Sequence, residues 1–429
     1  MQTWGTWRGG PIRSKPLLSD VAQAQRSDVV IGGGGMVGLT LALALARGGL
    51  KVTVADPIPP SEKVEAAFDG RVSALSYSSV RMLEALGVWP QLKARAQPIN
   101  DILVTDAKLG SAPSPFSLHF DHREIGVPMG WIAENRDVRE ALLACAANTE
   151  LLRLECPAAV TDSRGVPRGV EVVLDSGRSY RTQLFVAAEG RDSPSRERMG
   201  VGLIAWSYPQ RGIVASVAHE RPHRGAAYEH FLPSGPFAIL PMTGNRSSLV
   251  WTERENIAAA VLQLPGVEFE AEVARRFGSH LGSLQVKGPR WSYPLRFHLA
   301  RTYVRPRFAL VGDAAHGIHP IAGQGLNLGF KDVAALSEVV LDAARLGLDF
   351  GSTEILKRFE RWRRFDSLSL ALATDALNRL FSNDFVPLRI ARDLGLGIVD
   401  SIGPLRRFFM RHAGGEVGKL PRLLRGEAA

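Results

Sequence analysis

Cysteine is scarce here. Only Cys145 and Cys156 occur in 429 residues, and no Cys-x-x-Cys pair exists. That excludes a disulfide framework and a thiolate zinc site, and it fits a reducing compartment. Long apolar runs are also missing. No stretch approaches the roughly 18–20 residues that a membrane-spanning helix needs. Acids are outnumbered, 43 Asp and Glu against 52 Lys and Arg, for a net charge of +9. Anionic partners are therefore favoured: phosphates, nucleic acid or a lipid surface. Hydrophobic residues at 45% and charged ones at 22% are ordinary for a folded chain, so a wholly disordered or fibrous protein is excluded. The length predicts two to three closely packed units. Residues 1–26 lack periodicity and have no acid before Asp20. They read as a disordered tail or, being rich in Arg and Ser, as a targeting segment.

What is present begins at Asp28. The apolar run Val29-Val30-Ile31 leads into Gly32-Gly33-Gly34-Gly35-Met36-Val37-Gly38, then an uninterrupted apolar stretch from Leu39 to Ala46. Gly48-Gly49, Lys51-Val52-Thr53-Val54-Ala55 and Asp56 follow. The order reads strand, glycine turn, buried helix, strand, acid. In the GxGxxG register Gly33 makes the tight turn, Gly35 lets backbone approach a pyrophosphate, and Gly38 permits close helix–strand packing. The helix start at Met36 and Val37 then offers N–H groups and a positive dipole end to phosphate. Asp56 stands where a carboxylate accepts both hydroxyls of an adenosine ribose, and its charge disfavours a 2′-phosphate. Only one such fingerprint occurs. The residues leave two candidates: an NAD enzyme, or a flavoprotein whose reductant binds transiently.

Far downstream, Phe308-Ala309-Leu310-Val311 ends in Gly312-Asp313, and the loop through Pro320, Gly323, Gln324, Gly325, Leu326 and Asn327 opens a helix. Leu326, Phe330, Val333, Ala334 and Val340 recur on one helical face. A strand-end carboxylate beside a second helix start can hold the polyol chain and ring of a larger cofactor. Backbone N–H groups from Gly323 to Asn327 can stabilise negative charge on a reduced ring. Between the two motifs, Leu184-Phe185-Val186-Ala187 ends at Ala188-Glu189-Gly190.

This trio resembles the flavoprotein aromatic hydroxylases of the para-hydroxybenzoate hydroxylase type, and more narrowly the UbiH/UbiF/VisC ubiquinone-biosynthesis hydroxylases. The resemblance runs from about residue 27 to beyond 380. Asp28–Gly38, Phe68-Asp69-Gly70-Arg71, Glu134-Asn135-Arg136, Gly235–Pro241 and Tyr293-Pro294-Leu295 carry it further. It implies an α/β fold: a Rossmann-like FAD domain, an interleaved β-sheet substrate domain and a C-terminal helical region. It implies FAD, NAD(P)H or another electron donor as transient reductant, and O2, reacting through a flavin C4a-hydroperoxide to hydroxylate a polyprenyl phenol. Gly33, Gly35, Met36, Val37 and Gly38 would take the pyrophosphate and Asp56 the ribose. Arg71 and Arg136 would reach the phosphates or flavin edge, and Gly312-Asp313 the ribityl chain. Pro320 and Gly323 to Asn327 would lie against the isoalloxazine ring. Two departures stand out: Gly32 where the family has a bulky aliphatic, and Glu189 where it has Asp. A reductase of the same fold, or a non-catalytic FAD-binding subunit of a ubiquinone-synthesis complex, remains open.

The expected division is 27–95, 128–200 and 300–345 for the FAD domain, 96–127 and 201–299 for the substrate domain, and 346–429 for the helical region. Phe231, Phe237, Ile239 and Pro320 are candidates to line the substrate cavity, the first three on strands 228–232 and 236–241, which lead through a turn at Thr243-Gly244-Asn245 into 247–251. No side chain is assigned to catalysis, because the cofactor carries the chemistry; the backbone near Pro320 and Gly323 is the part expected closest to it. His298 and His319 receive no role and His316 is expected to be structural. Neither a metal nor nucleic acid is expected. In 404–425, Arg406, Arg407, Arg411, Lys419, Arg422 and Arg425 stand against one acid, Glu416, with Phe408, Phe409, Met410, Leu423 and Leu424 interleaved. Such a segment suits an anionic lipid interface. The expected location is the cytoplasmic side of a bacterial inner membrane, with the matrix side of a mitochondrion as the alternative.

Overall fold

A computed structural model describes residues 24–59, 71–106, 117–381, 399–416 and 418–429. Most of the leader and the Phe68-Asp69-Gly70 motif lie outside the described residues. A six-stranded sheet forms one centre, in the order Val304–Arg305, Phe308–Leu310, Leu184–Ala187, Val29–Gly32, Val52–Ala55, Leu152–Glu155. All neighbours pair in parallel except the short hairpin at the first edge. Its central strands Val29–Gly32 and Leu184–Ala187 are apolar and wholly buried, with the helix Met36–Arg47 and the strand Gly169–Leu174 packed against them. Register does the rest: Ala187 pairs with Gly32 on one side and Leu310 on the other. Segments more than 100 residues apart therefore leave the sheet side by side at its carboxyl edge, the place where open α/β sheets bind ligands.

The helix Met36–Arg47 is buried from Gly38 to Ala46, as its unbroken apolar run requires. It packs against Asn135–Ala147 and the long helix Gln324–Arg345. A side chain at Gly48 would meet Leu341 at 2.3 Å, so the glycine lets the two helices close up. Gln25 and Arg26, read from sequence as part of the tail, instead pair in parallel with Tyr180 and Arg181. The backbone there finds an open sheet edge, which composition alone does not reveal.

An eight-stranded sheet forms the second centre: His316–Gly317, Leu284–Ala300, Leu203–His219, Arg246–Arg254, Gly235–Met242, Ala226–Leu232, Asp101–Asp106, Ser117–Asp121. Its outer face is covered by the helices Glu255–Gln263 and Gly266–Phe277, closing a core around Phe237, Ile239, Trp251 and Phe269. Its inner face meets the parallel domain through Ala227 and Met242, packed with Ile99 and Ile132. Beyond Arg345 come the helices Thr353–Phe381 and Gly403–Ala413. No helix among the described residues is long and apolar enough to cross a membrane.

Candidate active site

Three strand ends meet at the carboxyl edge, and steric demand explains Gly33 and Gly38. Gly33 has φ +102°, and a Cβ there would stand 2.4 Å from the Ala188 carbonyl oxygen. A Cβ at Gly38 would sit 1.9 Å from the Gly33 carbonyl oxygen. A Cβ at Gly35 would meet nothing within 4 Å, so the space beside this glycine is open to something approaching the backbone. It caps the helix without any side-chain hydrogen bond, leaving Met36 and Val37 half-buried at the helix mouth. Asp56 closes the loop from the next strand: its carboxylate accepts from Gly34 N–H at 2.5 Å and Ile58 N–H at 2.9 Å. Asp56, Gly34, Leu39, Val54 and Ile58 line a small cleft at that strand end.

The second glycine turn abuts the first. A Cβ at Gly312 (φ +60°) would meet Val37 at 3.1 Å, and one at Gly329 would meet Val37 at 2.8 Å. One valine thus wedges the two helix starts together. The turn is pinned from behind by Asp332, fully buried, which accepts from Gly312 N–H at 3.0 Å, His316 Nε2 at 2.6 Å and Arg363 Nε at 2.8 Å. Burial alone would raise the Asp332 carboxyl, but His316 and Arg363 outweigh it and hold it below the usual range. His316 accordingly has the structural role expected of it. Asp313 itself is half-exposed and accepts from Arg191 Nε at 3.2 Å. Behind it His298 Nε2 bonds the Asp313 carbonyl at 2.8 Å, its pKa lowered by burial.

The remaining sequence candidates divide. Gly323 (φ +61°) starts the helix Gln324–Arg345, with Ala74 3.0 Å from where its Cβ would be. Pro320, Gln324, Gly325 and Leu326 are partly buried around it. Asn327 spends its amide elsewhere, accepting from Ser76 N–H (3.0 Å) and Ser79 Oγ (2.9 Å) and donating to the Ala74 carbonyl (2.9 Å). That side chain ties the helix to the strand Val72–Ser76, so it can offer a ligand only backbone. Arg71 precedes that strand, and Arg136 starts a helix beside Glu134, whose carboxylate it meets at 2.9 Å. Val72 and Glu134 are register partners, which brings both arginines to one end of the same small sheet. Tyr293, whose ring would stand 2.8 Å from a Cβ at Gly212, is raised in pKa by burial, while Arg191 and Arg71 pull it down.

The cavity-lining candidates need correction. Phe231 is on the inner face, stacked on Phe381 with ring centroids 4.0 Å apart. Phe237 and Ile239 point the other way, fully buried with Trp251 in the outer core. Side chains alternate along a strand, and a three-strand antiparallel pattern does not reveal which parity faces the cofactor domain. The basic C-terminal segment also divides. Phe408 and Phe409 are 51% and 41% exposed, whereas Leu423 and Leu424 are buried and Arg422 is paired with Glu338 and Asp342. The exposed aromatic pair thus lies in the first half, while Leu423 and Leu424 face inward.

The departures at Gly32 and Glu189 explain each other. Glu189 accepts from Ser193 Oγ at 2.5 Å, Ser195 N–H at 3.0 Å and Ser195 Oγ at 2.7 Å. A Cβ at Gly32 would be 2.9 Å from its Oε1. The longer acid fills the space that a larger residue at 32 would need. Sequence reasoning missed Asp332 and Arg363; a lone acid on the apolar face of a helix was the available signal.

Residues 26–359 match the family model for an FAD binding domain. The chain is 49% identical over 404 residues to the ubiquinone hydroxylase UbiL of Rhodospirillum rubrum, covering 93% of each. It is 34% identical to the 3-demethoxyubiquinol 3-hydroxylase of Escherichia coli, over 91% of this chain and 98% of that one. In fold it is similar to the p-nitrophenol 4-monooxygenase PnpA of Pseudomonas putida, with a TM-score of 0.75 over 92% of this chain and all of the other at 18% identity.

Proposed function

The chain belongs to the ubiquinone hydroxylase family of FAD-dependent monooxygenases, and from that premise we propose that it hydroxylates the ring of a polyprenyl phenol at a membrane surface. It is an FAD-dependent hydroxylase of ubiquinone biosynthesis. The observation that carries the substrate reading is identity of 49% sustained over 93% of a ubiquinone hydroxylase.

The residues suit FAD. Open space at Gly35, beside a helix start with no acid in its first turn, fits a pyrophosphate. Asp56 at the strand end fits the ribose, and Asp313 on the abutting turn fits the ribityl chain. Arg71 and Arg136 supply positive charge to the phosphates or flavin edge. The loop Pro320–Asn327 is assigned to the isoalloxazine ring. When bound, FAD supplies electron transfer from NAD(P)H or another donor and the activation of O2. The chain's own part is positional. Asp332, His316 and Arg363 fix the Gly312 turn so that Asp313 meets its partner without reorganising. The inner face of the eight-stranded sheet keeps water from the reacting ring.

A polyprenyl tail confines the substrate to lipid. Exposed Phe408 and Phe409 beside Arg407 and Arg411 support contact with an anionic bilayer, each cation contributing about 1 kcal/mol near the surface. The cytoplasmic face of a bacterial inner membrane, with partners in a ubiquinone-synthesis complex, is the setting this reading favours. Deleting the gene and identifying by mass the quinone precursor that accumulates tests it. A polyprenyl phenol lacking one ring hydroxyl is expected; an unchanged quinone pool refutes the reading.

A further inference from the structure

One carboxyl group on the inner face has no role in the account so far. Glu229 lies between Tyr228 and His230 in the strand Ala226–Leu232. Tyr228 packs on the outer core, whereas Ala227 joins the inner cluster and Phe231 stacks on Phe381. Alternation puts Glu229 on the side of Ala227 and Phe231, toward the cofactor domain. Its register partners are Val104 and Ala238, neither with a polar side-chain atom. Among the described residues nothing donates a hydrogen bond or an ion pair to its carboxylate. Burial alone pushes its pKa up to about 7, yet part of its surface stays open. The carboxyl therefore sits on the sheet's inner face, between two apolar register neighbours and partly open. An unpaired buried carboxyl costs stability, so a binding partner is the economical explanation for its being there.

Resting on the reading that the substrate is a polyprenyl phenol, we propose that Glu229 accepts the hydrogen bond of the substrate's ring hydroxyl and takes its proton during oxygen transfer. The phenol O–H bond breaks with its electron pair left on oxygen, and conjugation carries that density to the ortho and para carbons. One of these forms the new C–O bond as the O–O bond breaks, then loses its hydrogen as a proton, which balances the one on the new hydroxyl, and that bonding pair restores the aromatic ring. The ring oxygen takes its proton back from Glu229, so the carboxylate ends unchanged. O2 provides the inserted atom; the donor's two electrons and two protons leave the other as water. The other ionisable groups on this side are engaged or distant from it in effect. Arg246 is paired with Glu134 at 3.3 Å, and Asp375 accepts from Tyr208 at 2.7 Å. Asp106 and His319 are buried and Tyr293 is partly buried, and none of the five shifts the Glu229 carboxyl.

The test uses the FAD-loaded full chain with a short-tailed prenyl phenol, comparing wild type, E229Q and E229D. FAD content, phenol affinity read from the flavin spectrum, and labelled product are followed from pH 5.5 to 8.5. Wild-type kcat/KM is expected to fall tenfold per unit below about pH 7. E229Q should hold FAD normally, lose that acid limb and form product about 10²–10⁴-fold more slowly, the range for a positioned proton acceptor. E229D should keep the limb at reduced rate, which guards against a misfolded E229Q. Wild type that hydroxylates while E229Q matches it within threefold, limb included, overturns the role of Glu229 alone. Wild type that holds FAD yet neither binds nor hydroxylates the phenol overturns the substrate reading beneath it.

Discussion

Replacing Gly32 by Ala should destabilise this protein, and replacing Glu189 by Asp as well should reverse the sign. The new Cβ would stand 2.9 Å from Glu189 Oε1, closer than such atoms settle. That oxygen cannot swing away freely, because it accepts from Ser195 Oγ at 2.7 Å while its twin holds Ser193 and Ser195. Yielding means loosening at least one charged hydrogen bond, about 1.5–3 kcal/mol. Against this, Ala in a strand gains about 0.5–1 kcal/mol over Gly. The net cost of G32A is then about 1–2 kcal/mol. E189D alone draws the carboxylate back one methylene, weakening the serine contacts and opening a void, for about 1–2 kcal/mol. In the E189D background the added methyl fills that void, so G32A becomes neutral or favourable. The coupling energy is therefore about 1.5–2.5 kcal/mol, well outside the ~0.5 kcal/mol within which independent sites add. Urea unfolding of all four FAD-loaded proteins, with m-values compared, measures it. Additive effects would refute the reasoning.

Other positions give sharper contrasts. G38A must push a Cβ into the Gly33 carbonyl at 1.9 Å and should lose both fold stability and FAD, whereas G35A meets nothing and should keep its apoprotein melting temperature while FAD affinity falls at least tenfold; equal effects on both by equilibrium dialysis and calorimetry would contradict these roles. D332N removes one partner from a buried charge cluster and should cost about 3–5 kcal/mol in urea unfolding. His319 is buried with neither ring nitrogen partnered, and burial pushes its pKa down to about 4. The unfolded chain takes up that proton first, so stability should be lost as pH falls from about 6.5 toward 4, by about 3 kcal/mol, and H319F should flatten that share of the slope. Substituting Phe408 and Phe409 together by Ser should abolish flotation with anionic liposomes, while changes at the buried Leu423 and Leu424 should act through stability alone.

The parallel sheet was legible because its signals are local: a strand, a glycine turn and a helix are contiguous at 29–47, and again at 308–345. Placing the Leu184–Ala187 strand between them depends on pairing across more than 100 residues, which only the repeated strand-to-turn pattern hinted at. The outer sheet was legible as strands but not as faces. With both sides buried, Phe231 and Phe237 look alike in sequence, and only the helices covering one side distinguish them. Glu229 escaped notice for the same reason, since an acid in an alternating strand reads as solvent-facing. Asp332 was hidden by distance, its partners His316 and Arg363 lying on either side of it along the chain and meeting only through tertiary packing. The tail at 404–425 was legible only as a composition, which does not tell a basic segment docked on acids, as Arg422 is, from one facing lipid.

The central claim is that this chain places one atom of O2 on the ring of a prenylated phenol. FAD-loaded protein, given an electron donor, a short-tailed prenyl phenol and ¹⁸O2, should yield product heavier by one labelled oxygen per ring, with label absent when the ¹⁸O is supplied as water. Consumption of donor and O2 with the phenol recovered unchanged, or product whose new oxygen comes from water, would contradict the account.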